Sequence, residues 1–192
     1  MVALSSASTR FKTHSPDVAE RSLIAGLIEI ENELSALCAQ RGIVLSLLKP
    51  TMIYGSSDNQ NVHRIARLGS RLRWLPYSGT GMRQPVHADD LAQVVIECLK
   101  RGEMAAGSWL LGGGETLNYP DMLRRIAAAS GQTPRAVRVP AFLLKPILRL
   151  AHAFGRMRDI RPVMIDRQKI DLVVDNQPAR EHLGWNPRAF RP

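Results

Sequence analysis

An arginine, a histidine and two aspartates crowd one short stretch, Ser78-Gly79-Thr80-Gly81-Met82-Arg83-Gln84-Pro85-Val86-His87-Ala88-Asp89-Asp90. A Gly-rich turn leads into Arg83, and a planar guanidinium with five donors suits the gripping of a phosphate or diphosphate through paired hydrogen bonds. His87, Asp89 and Asp90 could carry protons, but they stand where a helical pattern begins, so their first assignment is capping and interior hydrogen bonding. Arg64, Arg67 and Arg71 share one side of a helix expected from about Asn61 to Leu72. That ridge reads as a solvated face which could also meet a phosphate. Cys38 and Cys98 lie far apart on apolar helix faces without the paired spacing of a metal or redox site, and read as core thiols in a reducing cytoplasm.

The elements that must hold these residues are legible in the periodicity. Met1-Val2-Ala3-Leu4 reads as a strand running into Ser5-Ser6-Ala7-Ser8, as though the chain started in mid-sheet. Ser15, Pro16 and Asp17 open a long helix, with Ser15 as its cap, that continues to about Gln40; Leu23, Ile24, Leu27, Ile30, Leu34, Leu37 and Cys38 form its expected buried stripe. Gly42 stops it, and Ile43 to Leu48 follow as a strand apolar on both faces. Strand, helix and strand make a right-handed βαβ unit. Asp89 is expected to cap the helix that ends at Lys100, Arg101 and Gly102.

Further on, Ser108 to Leu111 is a strand closed by Gly112-Gly113-Gly114, and Asn118 caps a helix from Pro120 to Ser130. Neither this triple glycine nor Gly79-Thr80-Gly81 has the spacing of a dinucleotide loop. Val137 to Val139 reads as an edge strand, and Ala141 to Phe154 as the most apolar helix, bent at Pro146. Its Lys145 and Arg149 could snorkel from a membrane interface, or the helix could simply pack inward. Asp171 to Asp175 is a short strand, followed by a helix from Gln177 to Leu183 that Gly184 ends.

Charge is distributed unevenly along the 192 residues. Residues 121 to 192 hold 14 Lys+Arg against 6 Asp+Glu, whereas residues 1 to 120 hold 12 against 11. Such asymmetry suggests an anionic partner, or only solubility. No apolar run reaches the length of a membrane span and no export leader is visible, so the expectation is a soluble cytoplasmic chain whose basic part could rest on the inner face of a membrane. No nucleic-acid recognition motif accompanies the basicity.

With these residues placed, the chain resembles the extended short-chain dehydrogenase/reductase family, the NAD-dependent epimerase/dehydratase group. Val2 to Ser8, Leu48 to Gly55, Gly79 to Ala92 and Ala179 to Phe190 carry the likeness, in order, over nearly the whole length. The resemblance implies an α/β fold: the C-terminal portion of a Rossmann-like doubly wound parallel sheet over residues 1–120, with substrate-side segments at 56–82, and a small basic α/β substrate lobe over 121–192. It implies NAD or NADP as cofactor and a nucleotide-sugar or polyprenyl-diphosphate-sugar as substrate, with a homo-oligomer as a further expectation. Arg83 then matches the diphosphate-gripping arginine, Asn61 and Val62 pack the nucleotide part of the substrate, and Ser5, Pro50 and Thr51 line the cofactor.

Two departures accompany the likeness. The family's tyrosine and lysine, one helical turn apart, carry the proton of the redox step. The long helix here has neither between Ser15 and Gln40; the positions fall at Leu23 and Leu27, or at Arg21 and Ala25. The family's assisting hydroxyl falls at Ala7, and a shifted register offers Ser6 or Ser8. The second departure is the Gly-rich nucleotide loop, which in the family belongs to roughly a hundred residues preceding the counterpart of Met1. The expectation is therefore an atypical or truncated member. The alternative is a non-catalytic scaffold or assembly protein with the same fold, associated with a membrane surface.

Overall fold

The computed structural model describes residues 1–55, 74–129, 131, 135–153 and 162–192. Asn61, Val62, the three arginines of the expected ridge and Phe154 lie outside the described residues. The order of elements is β1 (Val2–Leu4), α1 (Ser8–Phe11), α2 (Val18–Gln40), β2 (Ser46–Pro50), β3 (Ile53–Tyr54), β4 (Trp74–Tyr77), β5 (Met82–Arg83), β6 (Val86–His87) and α3 (Ala88–Arg101). A 3-10 turn at Gly102–Ala105 leads to β7 (Gly107–Leu111), β8 (Leu117–Asn118), α4 (Tyr119–Ala129), β9 (Arg135–Arg138), α5 (Ala141–Ala153), α6 (Val163–Arg167) and α7 (Gln177–Leu183). The fold is mixed α/β with parallel strands, as the periodicity implied.

Two compact units emerge, and the chain passes between them more than once. The first joins Met1–Ser56, Gln84–Glu115 and Val173–Phe190; the second joins Ser57–Arg83, Thr116–Leu172 and Arg191–Pro192. Such a path cannot be drawn as a single cut in sequence.

In the first unit, α2 returns the chain so that β1 and β2 pair in parallel, Val2 opposite Ser46 and Leu4 opposite Leu48. β7 pairs with β2 on its other side, giving the order β1-β2-β7. β2 begins at Ser46, three residues later than the apolar run at Ile43, and continues through Lys49 and Pro50. Pairing on both edges decides where the ladder lies, and Lys49 is tolerated in it because its ammonium meets Glu31 at 2.7 Å. Leu48, Val86, Leu91, Val94, Cys98, Leu111, Leu183 and Trp185 make the core. Cys38 and Cys98 are buried free thiols, as expected.

Three sequence expectations are corrected here. Asp17, not Ser15, caps α2, accepting from the N–H groups of Ala19 and Glu20, while Ser15 donates to the Glu20 carboxylate at 2.6 Å. His87, not Asp89, caps α3: its Nδ1 accepts from the Asp89 N–H, which leaves Asp90 free to turn inward. The expected stripe of α2 is largely outside. Its buried line is Glu20, Ile24, Glu31 and Cys38, whereas Leu23, Ile30 and Leu37 are exposed. The helix is apolar over a wide arc, and packing covers only one margin of it; periodicity alone does not choose which margin.

The second unit is built on the parallel pair β4 and β9, Trp74 opposite Arg135 and Tyr77 opposite Arg138, which confirms a strand near Val137. Leu75 packs with Leu123 and Ala127 of α4, whose start is tied down by Asn118 accepting from the Asp121 N–H at 2.9 Å. β5 pairs antiparallel with β8. Of the strand expected at Asp171 to Asp175, only Leu172 bridges, in parallel, to Arg83. α5 has Pro146 within it and is described as far as Ala153.

Candidate functional site

Five of the candidate residues meet at one edge of the first unit. Ser5, Ser6 and Ser8 follow the C-terminal end of β1, and Pro50 and Thr51 stand at the C-terminal end of β2. In open parallel sheets that edge is where ligands bind. The two ends are fastened: the Ser5 N–H donates to Leu48 O at 2.8 Å and the Ala7 N–H to Pro50 O at 2.9 Å. Thr51 is held on the next strand by its N–H to Leu111 O at 2.9 Å and by its hydroxyl on Gln84 O.

The serines differ in what they are free to do. Ser5 Oγ donates to the Glu31 carboxylate, whose other oxygen takes Lys49. Ser6 Oγ accepts from the Ser8 N–H at 3.1 Å, and so organises the single turn of α1. Ser8 opens that turn half-buried. Sequence reasoning missed the Ser5–Glu31–Lys49 cluster. Its signal was a spacing of seven from Ile24 to Glu31 and from Glu31 to Cys38, which puts the acid on the buried line.

Arg83 belongs to the second unit and is only 6% exposed. Its Nη1 donates to Met82 O at 2.7 Å and to Ile170 O at 2.8 Å, and its Nη2 to Arg167 O at 2.7 Å. The guanidinium carbon sits 5.3 Å from the centre of the Tyr119 ring. Three of five donors are thus committed to carbonyls, and Nε with one Nη2 hydrogen has no partner among the described residues. Burial lowers the Arg83 pKa, partly offset by Tyr119 and Asp171. Burial likewise raises that of Tyr119, against the pull of Arg83 and a hydrogen bond with Gln168. The arginine stays a cation, rigidly held.

Glycines serve close approach within each unit. In the second, a Cβ on Gly79 or Gly81 would strike the backbone of Gln168 or Ile170; in the first, one on Gly113 would strike Pro85 O. Asp90 receives the Arg188 Nε at 2.8 Å and the Arg188 N–H at 3.0 Å, a role for which only its place beside a helix start gave a hint. His87 stacks edge-on against Tyr54, with centroids 5.0 Å apart.

A dinucleotide needs a strand that feeds a helix N-terminus through a glycine loop, to seat its pyrophosphate. Among the described residues β1 is followed by a four-residue turn of helix, and the triple glycine after β7 is pressed against Gln84, Pro85, Pro187 and Arg188. The described residues therefore do not form a seat for the pyrophosphate of NAD(P).

No family model matches the sequence. The chain is 27% identical over 179 residues to the UDP-glucose 4-epimerase of Vibrio cholerae, an alignment that covers 92% of this chain and 52% of that protein. The chain thus spans about half the length of the curated relative it matches. Its fold is similar to GDP-mannoheptose C4 reductase from Campylobacter jejuni with NADP bound, with TM-score 0.68 and 14% identity over 98% of this chain and 63% of that one. UDP-glucuronic acid 4-epimerase from Bacillus cereus, in complex with UDP-glucuronic acid and NAD, gives TM-score 0.65 and 14% identity over 98% and 56%. UDP-glucose 4-epimerase from Thermus thermophilus in complex with NAD gives 0.63 and 17% over 98% and 59%. Sequence match and fold point the same way: the chain is similar in sequence to a UDP-glucose 4-epimerase and similar in fold to NAD- and NADP-bound epimerases and reductases.

Proposed function

We propose that this chain forms part of an NAD(P)-dependent epimerase/dehydratase or reductase-like protein acting on a nucleotide- or lipid-diphosphate-linked sugar. The observation that carries this reading is the alignment with a UDP-glucose 4-epimerase across 92% of the chain. In this reading Ser5, Pro50 and Thr51 line the cofactor, Ser6 or Ser8 is the assisting hydroxyl, Arg83 offers its remaining donors to the diphosphate of the substrate, and Asn61 and Val62 pack its nucleotide part. The proton carrier is not a tyrosine of α2, because that helix contains none.

The test is a tryptophan-fluorescence titration of this chain with UDP-glucose, and with NADH and NADPH, beside a form extended upstream. UDP-glucose binding that weakens about tenfold or more in Arg83→Ala, with Arg83→Lys between, is the expected result. Arg83→Ala binding as tightly as the parent sinks the role of Arg83.

A second reading keeps the fold and drops the chemistry: a scaffold or assembly protein, self-associated or resting on a membrane surface. The absence of both Tyr and Lys from α2 favours it. No helix among the described residues is long and apolar enough to cross a membrane, and the association meant here is a peripheral one. Binding of neither nucleotide nor sugar nucleotide by either form is the result that puts this reading first.

A further inference from the structure

The sequence leaves α5 two courses, to pack its apolar residues inward or to present them at a surface, and in the folded second unit they face out. Phe142, Leu143, Ile147 and Leu150 are 72%, 47%, 60% and 61% exposed, and Pro146 and Ala153 are exposed with them. At about 100° per residue these six fall within an arc of roughly 140° that holds no polar side chain. Leu148 is the one fully buried residue of the helix.

The polar residues of α5 are arranged in the opposite sense. Lys145 is turned toward the protein, where it pairs with Asp166 at 2.8 Å, and His152 is half-buried. An ordinary surface helix puts its apolar stripe on the core and its polar groups in water. This one is inverted, and a contiguous apolar face left outside marks a surface that meets something else.

Charge identifies the occupant. α5 contains no acidic residue. Arg149 is exposed at the margin of the apolar arc, and Phe142 shares a surface hollow with Arg138 and Lys169, both exposed. None of these three cations has a carboxylate partner among the described residues, and the acid in that hollow, Asp166, is taken by Lys145. A second copy packed on this face about a two-fold axis would set the cationic margin against itself. An anionic bilayer answers both features, since acyl chains receive the apolar side chains and headgroups receive the cations. The 13 residues of α5 reach roughly 20 Å, short of the hydrocarbon core, so the helix lies in the interface plane and does not cross it.

We propose that α5 is a peripheral docking helix, which seats Phe142, Leu143, Ile147 and Leu150 among the acyl chains of an anionic bilayer and sets Arg138, Arg149 and Lys169 on its headgroups. The proposal gives the peripheral association raised above a surface and a lipid class, and it holds whether or not the chain carries out chemistry.

Co-sedimentation with vesicles of phosphatidylcholine, alone and with about 30 mol% phosphatidylglycerol, tests it. The expected result is binding about tenfold or more tighter to the anionic vesicles, weakening as salt rises. Phe142→Ser/Ile147→Ser/Leu150→Ser should weaken that binding about tenfold or more, and so should Arg138→Glu/Arg149→Glu/Lys169→Glu. Leu23→Ser/Ile30→Ser/Leu37→Ser, which strips three exposed apolar side chains from α2 instead, should stay within about twofold of the parent. The replaced side chains are exposed, so melting temperatures should stay within a few degrees, which separates lost docking from lost folding. Phe142→Trp gives a readout that needs no loss: its emission should shift to the blue on anionic vesicles and be quenched by phosphatidylcholine with brominated chains. No binding to the anionic vesicles, unchanged binding in the α5 serine variant, or an equal loss in the α2 variant overturns the proposal. Self-association in lipid-free ultracentrifugation that the α5 serine variant abolishes also overturns it, because a second copy then covers this face. Arg83 is not on α5, and failure of UDP-glucose binding would leave the proposal standing.

Discussion

Glu31 shows what one residue can decide in this chain. Its carboxylate is buried with one oxygen on Ser5 and the other on Lys49, so removing it strands a half-buried ammonium at the end of β2. Glu31→Ala should cost about 2–4 kcal/mol in urea unfolding, and Glu31→Ala with Lys49→Met should recover much of that loss. Tyr119 makes a pH-dependent case. Burial holds its phenol above the ordinary 10.0, so above that pH the folded chain still binds a proton that the unfolded chain has released. Its contribution to stability is complete below about pH 10 and is lost as the pH rises through the native value. Tyr119→Phe should therefore flatten the alkaline fall of the unfolding midpoint. At this scale little was visible beforehand. Arg83 stood out because glycines and a helix start frame it, whereas Glu31, Tyr119 and Gln168 act through partners many residues away.

At the scale of elements the caps and close approaches are open to test. Asp17→Ala removes the acceptor for two N–H groups of α2 and should lower stability by about 1 kcal/mol, while Ser15→Ala removes a hydroxyl that meets Glu20 and the Asp17 N–H. Gly113→Ala, which drives a methyl group into Pro85 O, should cost more than about 3 kcal/mol or prevent folding, as judged by circular dichroism. The strands, the βαβ unit and the helix stopped by Gly184 were legible because period, glycine and length all favour one answer there; Gly184 takes φ 69°, the left-handed turn its type allows. Helix starts were less legible. Ser15 and Asp17, like His87 and Asp89, are each two able acceptors two residues apart, and only the path of the incoming chain chooses between them.

For the molecule as a whole, α2 leaves Leu23, Ile30 and Leu37 in a line on its exposed side. Converting all three to lysine should reduce light scattering at high concentration and leave the melting temperature within a few degrees, because exposed side chains contribute little to the core. No periodicity argument foresaw this, since a wide apolar arc does not reveal which margin the sheet will cover. The first unit, in turn, is assembled from three separate stretches of sequence. Leu48 and Leu111 are sealed by Leu183 and Trp185, the Trp185 indole donating to Gly112 O at 2.9 Å, and Phe190 closes over Tyr54. During synthesis the sheet must therefore wait, with its apolar face open to the ribosome tunnel's exit and to any chaperone there, until these late residues emerge to cover it.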